Sequence, residues 1–354
     1  MRLNLLKTIF DNSITSSSLK ENELDYLIKY CEKHRIKQIF IDRMDMVKDQ
    51  RANYREYAKK YTRYSLTRDL SILNEIDKLA LLLESKKINF VFLKGAAFKK
   101  ALYENSIFRD CRDIDVLVSS AEVEVTLKTL FENNYKYVVA GGSQNTQIDY
   151  EHSHQAPVLV SPNGQYIEIH YRITMENKKC HISEDMLKEQ VNHIAPDYLN
   201  LIHVAYHALK VNKLNNGLMS LIDISYLLSC ISRNEAIVAA EKYNLAGITK
   251  HMMELYELNF FNKQCNNKTD ILFISNELIH AGEVLVGFKI HSKSLSIFKK
   301  KYLGNGEGKF DFRINISFLR YISGKLFFHI ISVIKNPNLW SKRNRLKKYL
   351  EKEG

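Results

Sequence analysis

Apolar side chains at Leu70, Leu73, Ile76, Leu79, Ala80 and Leu83 recur at three- and four-residue steps, with charged residues between them. That spacing lines one face of a helix, and residues 1–86 are expected to form an N-terminal helical region. The texture changes at Ile88. INFVFL (Ile88–Leu93) is β-branched and aromatic and stops near Gly95, as a buried strand does. Ala96–Tyr103 suits a helix, DIDVLV (Asp113–Val118) a second strand and Ala121–Asn133 a second helix. Ala156–Val160 and Tyr166–Tyr171 read as further strands around the turn-forming Ser161-Pro162-Asn163-Gly164. From Ser183 to about Val286 the helical period returns, most clearly at Leu199–Leu209 and Leu218–Ser229. The prediction is a mixed α+β fold, a small sheet with helices flanked by N- and C-terminal helical regions. Four segments result: residues 1–86, an α/β core at 87–182, a helical region at 183–288 and a basic C-terminal helical segment at 289–354.

Within DIDVLV, alternation puts Asp113 and Asp115 on one side of the strand and Ile114, Val116 and Val118 on the other. Two carboxylates so placed repel each other unless something compensates them. One candidate is a hard divalent cation, whose preferred ligands are oxygens; another is pairing with Arg109 and Arg112. A third acid would complete a cation site. In YIEIHYR (Tyr166–Arg172), Glu168 is a lone acid in an apolar strand and shares a side with His170 and Arg172. The Lys94-Gly95 turn ahead of the pair suits a phosphate. A glycine lets backbone N–H groups approach closely at a helix start, and the lysine adds a point charge.

These residues carry a resemblance. FLKGAAFKKALYENSIFRDCRDIDVLV, an Asn-Tyr at Asn134-Tyr135 and the later YIEIHYR look like the bacterial uncharacterised nucleotidyltransferase family, within the DNA polymerase β-like nucleotidyltransferase superfamily. The matching positions are Lys94, Gly95, Tyr103, Arg109, Asp113, Asp115, Glu168 and His170, with His203, His207 and Asp223 in a recurring helical pattern. The similarity spans roughly residues 70–230. The resemblance implies a nucleotidyltransferase-type sheet and a Mg²⁺- or Mn²⁺-dependent enzyme that uses an NTP such as ATP. Asp113, Asp115 and Glu168 would be catalytic and metal-binding. Lys94, Gly95, Ala96, Arg109 and Arg112 would bind nucleotide phosphates. Where the superfamily has Gly-Gly or Gly-Ser, this chain has Gly95-Ala96. The acceptor is a small molecule, a peptide, a tRNA or a protein. The alternative is a non-catalytic binding protein that keeps the fold and uses its basic end to hold RNA, an acidic partner or a membrane surface.

His203 and His207 lie four apart on one helical face. With Asp223 they form either a hydrogen-bonded set beside the site, contacting acceptor, or a polar patch joining two helices. His152 and His154, in EHSHQ, read as an ordinary exposed pair.

Charge and composition add compartment and partners. The chain carries 52 Lys/Arg against 40 Asp/Glu, a net +12. Residues 289–354 hold 16 of the bases and 4 of the acids, so residues 1–288 are balanced. The basic end, with Arg313–Ile334 and the region of Trp340, is expected to be a helix docked on its own domain, with Arg320 and Lys325 on the wet side. An acidic lipid surface and RNA are the alternatives. Five cysteines without CxxC spacing predict reduced thiols in the cytoplasm. Asp11 interrupts the first apolar stretch, so no signal peptide is expected, and no apolar run is long enough to span a membrane.

Overall fold

The computed structural model describes residues 14–261, except 139–147, 149, 151–152, 175–179, 213 and 215–216, together with residues 345 and 348. The basic end predicted at 289–354 therefore lies almost wholly outside the described residues, and so does His152. No helix among the described residues is long and apolar enough to cross a membrane.

The N-terminal region is helical, as its period predicts. α1 (Glu21–Lys33) and α2 (Lys37–Arg43) precede α3 (Ala52–Ser85), a helix of 34 residues. α1 closes through Ile36 N–H to Cys31 O (2.9 Å) and Arg35 N–H to Glu32 O (3.1 Å), with Arg35 in the left-handed region at φ 63°. This is a Schellman closure, with the fully buried Cys31 and Ile36 at its two apolar positions. Along α3, Ile76, Leu79, Ala80 and Leu83 face the core as expected. Leu70 does not, being 66% exposed, because the buried stripe at that turn runs through Asp69 and Ile72 instead.

Strand β1 (Phe90–Phe92), helix α4 (Lys94–Ala101), strand β2 (Asp113–Val118) and helix α5 (Val123–Glu132) follow. β3 (Lys136–Tyr137), β4 (Leu159–Val160) and β5 (Tyr166–His170) complete the sheet. Among the described residues the strand order is β1-β2-β5-β4-β3. β2 and β5 are parallel, and the other pairings are antiparallel. The mixed α+β class is confirmed. The strands expected at Ile88–Leu93 and Ala156–Val160 are shorter than predicted: apolar texture extends past the residues that find a ladder partner. The free edge of β1 is covered, since Phe92 N–H donates to His193 O at 2.9 Å beside a bridge to Ile194.

β2 is buried on both faces: Ile114, Val116 and Val118 on one, Asp115 and Leu117 on the other. α4 packs against β2, and α6 (Ile182–Glu189) against β1 and β2. Beyond them, α7 (Asp197–Tyr206) packs on α8 (Met219–Cys230), α9 (Arg233–Glu241) and α10 (Ala246–Phe261). The helix expected to run to Leu209 stays α-helical only to Tyr206. A π-helical segment, His207–Val211, then widens the turn, and such segments gather at functional sites.

Candidate active site

A cavity of about 310 Å³ opens at the carboxyl end of β1 and beside the amino end of β2. Lys94, Gly95, Asp113, Asp115, Glu168 and His207 line it, together with Arg35, Arg112, His154 and Asn212. The chain turns into the cavity at Lys94, whose φ of 47° breaks off β1 and starts α4. It is the lysine, not Gly95, that takes the left-handed conformation. The glycine is needed for a different reason: a Cβ there would lie 2.8 Å from Cys111 Sγ and 3.2 Å from Cys111 Cβ. Ala96 follows in the first turn of α4 and is fully buried.

The parallel register of β2 and β5 sets Asp115 opposite Glu168 and Leu117 opposite His170. Asp113 lies one pleat earlier on the same face. Asp115, Glu168 and His170 bring one ligand atom each within 4.8 Å of one another, a grouping able to hold a metal ion. This compact set contains His170 where the sequence pointed to Asp113.

Asp115, 2% exposed, has compensation within the protein: Lys94 Nζ donates to its Oδ1 at 2.7 Å, and His170 Nε2 lies 2.7 Å from the same oxygen. Burial would raise this carboxyl, but the Lys94 ammonium and the His170 ring hold it well below the usual carboxylate range. Burial lowers the basicity of His170, and its bonds to Asp115 and Glu168 more than restore it, leaving the ring more basic than an ordinary histidine.

Asp113 stands differently. Its carboxylate has no hydrogen bond or ion pair among the described residues. Neither arginine answers for it, since Arg109 pairs with Asp223 and Arg112 with Asp110. Burial and the negative charge of Asp115 push its carboxyl up. A half-buried carboxylate with no ion pair among the described residues, beside two further acids, fits a hard divalent cation by the chemistry of its donors.

His207 fixes the other side of Lys94. An ammonium only donates, so His207 Nε2, 3.3 Å from Lys94 Nζ, accepts, and the ring proton sits on Nδ1. Asn212 Nδ2 lies 3.1 Å from that nitrogen, and a half-turn of the amide brings its oxygen to the proton. Burial and the Lys94 charge keep His207 neutral, and His203 as well. His203 packs edge-on to His207 with ring centres 5.9 Å apart, and its Nδ1 is buried without a hydrogen bond.

The structure does not join Asp223 to these histidines. Asp223 takes Arg109 through two parallel bonds of 2.8 and 2.9 Å, partly buried, and the Tyr103 hydroxyl through a buried bond of 2.7 Å. Arg109 is thereby committed as a strut between the β1–β2 connection and α8. Burial alone would lower its basicity, but Asp223 holds it firmly charged. His154, expected to be exposed, lies half-buried in the cavity wall with its ring 5.3 Å from that of His170. Burial pushes its pKa down to about 4. Its place is set by backbone bonds, because Tyr171 N–H donates to His154 O across the β5 end.

Arg35, Asp110 and Asn212 also line the cavity. Sequence reasoning missed Arg35 and Asn212 because neither stands in a motif; Asp110 lies within the FRDCRDIDVLV stretch but was not singled out.

An acid-lined cavity over one face of a small mixed sheet, with a lysine at the strand-to-helix turn, defines the candidate site of this α+β protein. The chain belongs to the uncharacterised nucleotidyltransferase family, whose family model matches residues 20–261. The match takes in α1 to α3 as well as the sheet, well beyond residues 70–230. Membership supports a transferase with a nucleotidyl-transfer role. A comparison with curated proteins gives no match.

Proposed function

We propose that the protein is a metal-dependent nucleotidyltransferase, moving a nucleoside monophosphate from an NTP to a hydroxyl or phosphate acceptor with release of pyrophosphate. The observation that carries this reading is the β2–β5 register, which sets Glu168 beside Asp115 with Asp113 on the same face. Asp113, Asp115 and Glu168 would hold Mg²⁺ or Mn²⁺, and His170 would orient Asp115. When bound, such an ion draws the nucleotide phosphates together and stabilises the charge that builds up on them.

The residues divide the remaining work. Lys94 Nζ uses one proton on Asp115 and one on His207, so its third is available to a phosphate oxygen. The acceptor oxygen attacks the α-phosphorus, the bond from that phosphorus to the bridging oxygen breaks, and pyrophosphate leaves. For a hydroxyl acceptor, Glu168, partly exposed to the cavity, takes the proton. Neutral His154 and His207 offer polar contacts on the acceptor side. Buried free thiols at Cys31 and Cys111 support a cytoplasmic setting.

The test is transfer of label from each NTP to a cell extract with Mg²⁺ or Mn²⁺. Asp115→Asn is expected to abolish labelling, and labelling equal to that of the unchanged protein would sink the reading.

A further inference from the structure

Three arginines, Arg35, Arg68 and Arg112, meet the Asp110 carboxylate at the cavity rim, and they are unequally committed. Arg68 donates to Asp110 Oδ1 at 2.8 Å and to Cys111 O at 2.6 Å, and so closes α3 onto the β1–β2 connection. Arg109 is held by Asp223. Arg35 and Arg112 share what remains: their Nε atoms lie 3.2 and 3.6 Å from Asp110 Oδ2. Arg35 Nε is buried yet makes no hydrogen bond, and Arg112 makes none among the described residues. Both line the same cavity as Lys94, Asp113 and Glu168.

The backbone at Arg35 sharpens the point. Its left-handed φ of 63° at the end of α1 is where glycine or asparagine costs least. An arginine held at such a position suggests a use for its side chain. The guanidinium is not needed to close α1, which its backbone does. Asp110 is engaged by Arg68 as well, so Arg35 is not its sole counter-charge. Two guanidinium groups with spare donors thus line a cavity that Asp113, Asp115 and Glu168 also line. A planar fork of N–H donors suits the oxygens of a polyphosphate.

We propose that Arg35 and Arg112, gathered by Asp110, bind the terminal phosphates of the nucleoside triphosphate, while Arg109 is tied to Asp223. Arg35 is then a substrate-binding residue supplied by the N-terminal helices, which makes those helices part of the active site. This inference rests on the nucleotidyl-transfer reading of the cavity. It also accounts for Gly95-Ala96 lacking a serine hydroxyl for the triphosphate, because the grip comes from Arg35 and Arg112.

The probe is sodium tripolyphosphate, titrated calorimetrically into the full chain at low salt without divalent metal, with orthophosphate in parallel. The unchanged protein is expected to bind tripolyphosphate more tightly than orthophosphate, with affinity falling as salt is added. Arg35→Gln and Arg112→Gln should each weaken tripolyphosphate binding at least tenfold. Wild-type affinity in Arg35→Gln, or no binding by the unchanged protein, overturns the proposal. Should Arg35→Gln not fold, Arg35→Lys decides: it keeps the charge but loses the fork, and undiminished affinity there has the same force. Asp115→Asn separates the two readings. It should keep tripolyphosphate binding while losing transfer. Absence of transfer with the arginine contrast intact would reject the enzyme reading and spare the anion subsite. Transfer without the contrast would do the reverse.

Discussion

Lys94 Nζ lies 2.7 Å from Asp115 Oδ1, and the two side chains reach each other from the turn after β1 and the middle of β2. The ammonium compensates one of the two aspartates of DIDVLV and leaves Asp113 without a partner among the described residues. Its removal should expose that imbalance. Lys94→Met is expected to lower stability by about 3 kcal/mol, the scale for stranding one member of a buried pair. Saturating Mg²⁺ or Mn²⁺ should then raise the melting temperature of the variant more than that of the unchanged protein. Equal metal shifts in the two proteins would argue against a cation site at these carboxylates.

Gly95 is set by contact with Cys111. In Gly95→Ala the new methyl would meet Cys111 Sγ, which is held in place by its bond to Asp113 O at 3.0 Å. A loss of about 1–3 kcal/mol is expected. Adding Cys111→Ala should recover most of it, and denaturant unfolding of the double-mutant cycle measures the coupling. Strictly additive losses would place the strain elsewhere.

Asp223 is predicted to be a structural anchor. Asp223→Asn leaves the buried Arg109 charge without its partner and should cost about 3–5 kcal/mol. Tyr103→Phe removes one bond to the same carboxylate and should cost about 1–2 kcal/mol. Arg109→Lys cannot restore the parallel pair of bonds, so urea unfolding should find it nearly as weak as Asp223→Asn. A lysine variant of normal stability would refute the strut.

His251 gives the fold an acid limit away from the site. It is buried on α10, and burial lowers its pKa to about 4 from an ordinary 6.5. The folded state therefore favours the neutral ring. Its contribution is complete above pH 6.5, is lost as pH falls toward 4, and changes no further below that. Between pH 8 and pH 5 the loss from this group is about 2 kcal/mol. In His251→Gln, denaturation at the two pH values should show a gap smaller by that amount, and an unchanged gap would assign the acid sensitivity to other groups.

Several elements were legible locally. DIDVLV forms a strand over the predicted residues, and the alternation that put Asp113 and Asp115 on one face holds along it. The lone acid of YIEIHYR lies on the adjacent strand. His154 was misjudged because its burial comes from the end of β5 and the neighbouring histidine ring, neither of which its own short segment encodes. Arg109 and Asp223 looked like two separate site residues; they are partners 114 positions apart.

The sequence by itself determined the mixed α+β class, the family and the acidic face, because strand alternation and the strand–Lys–Gly turn are local properties of backbone and side chain. Only the tertiary structure decided what each charge meets. The parallel β2–β5 register set Glu168 against Asp115. Helix packing delivered Asp223 to Arg109, and the closure of α1 aimed Arg35 into the cavity. Such pairings depend on distances between segments far apart in the chain, where burial makes an unpaired charge costly and the folded arrangement alone supplies the partner.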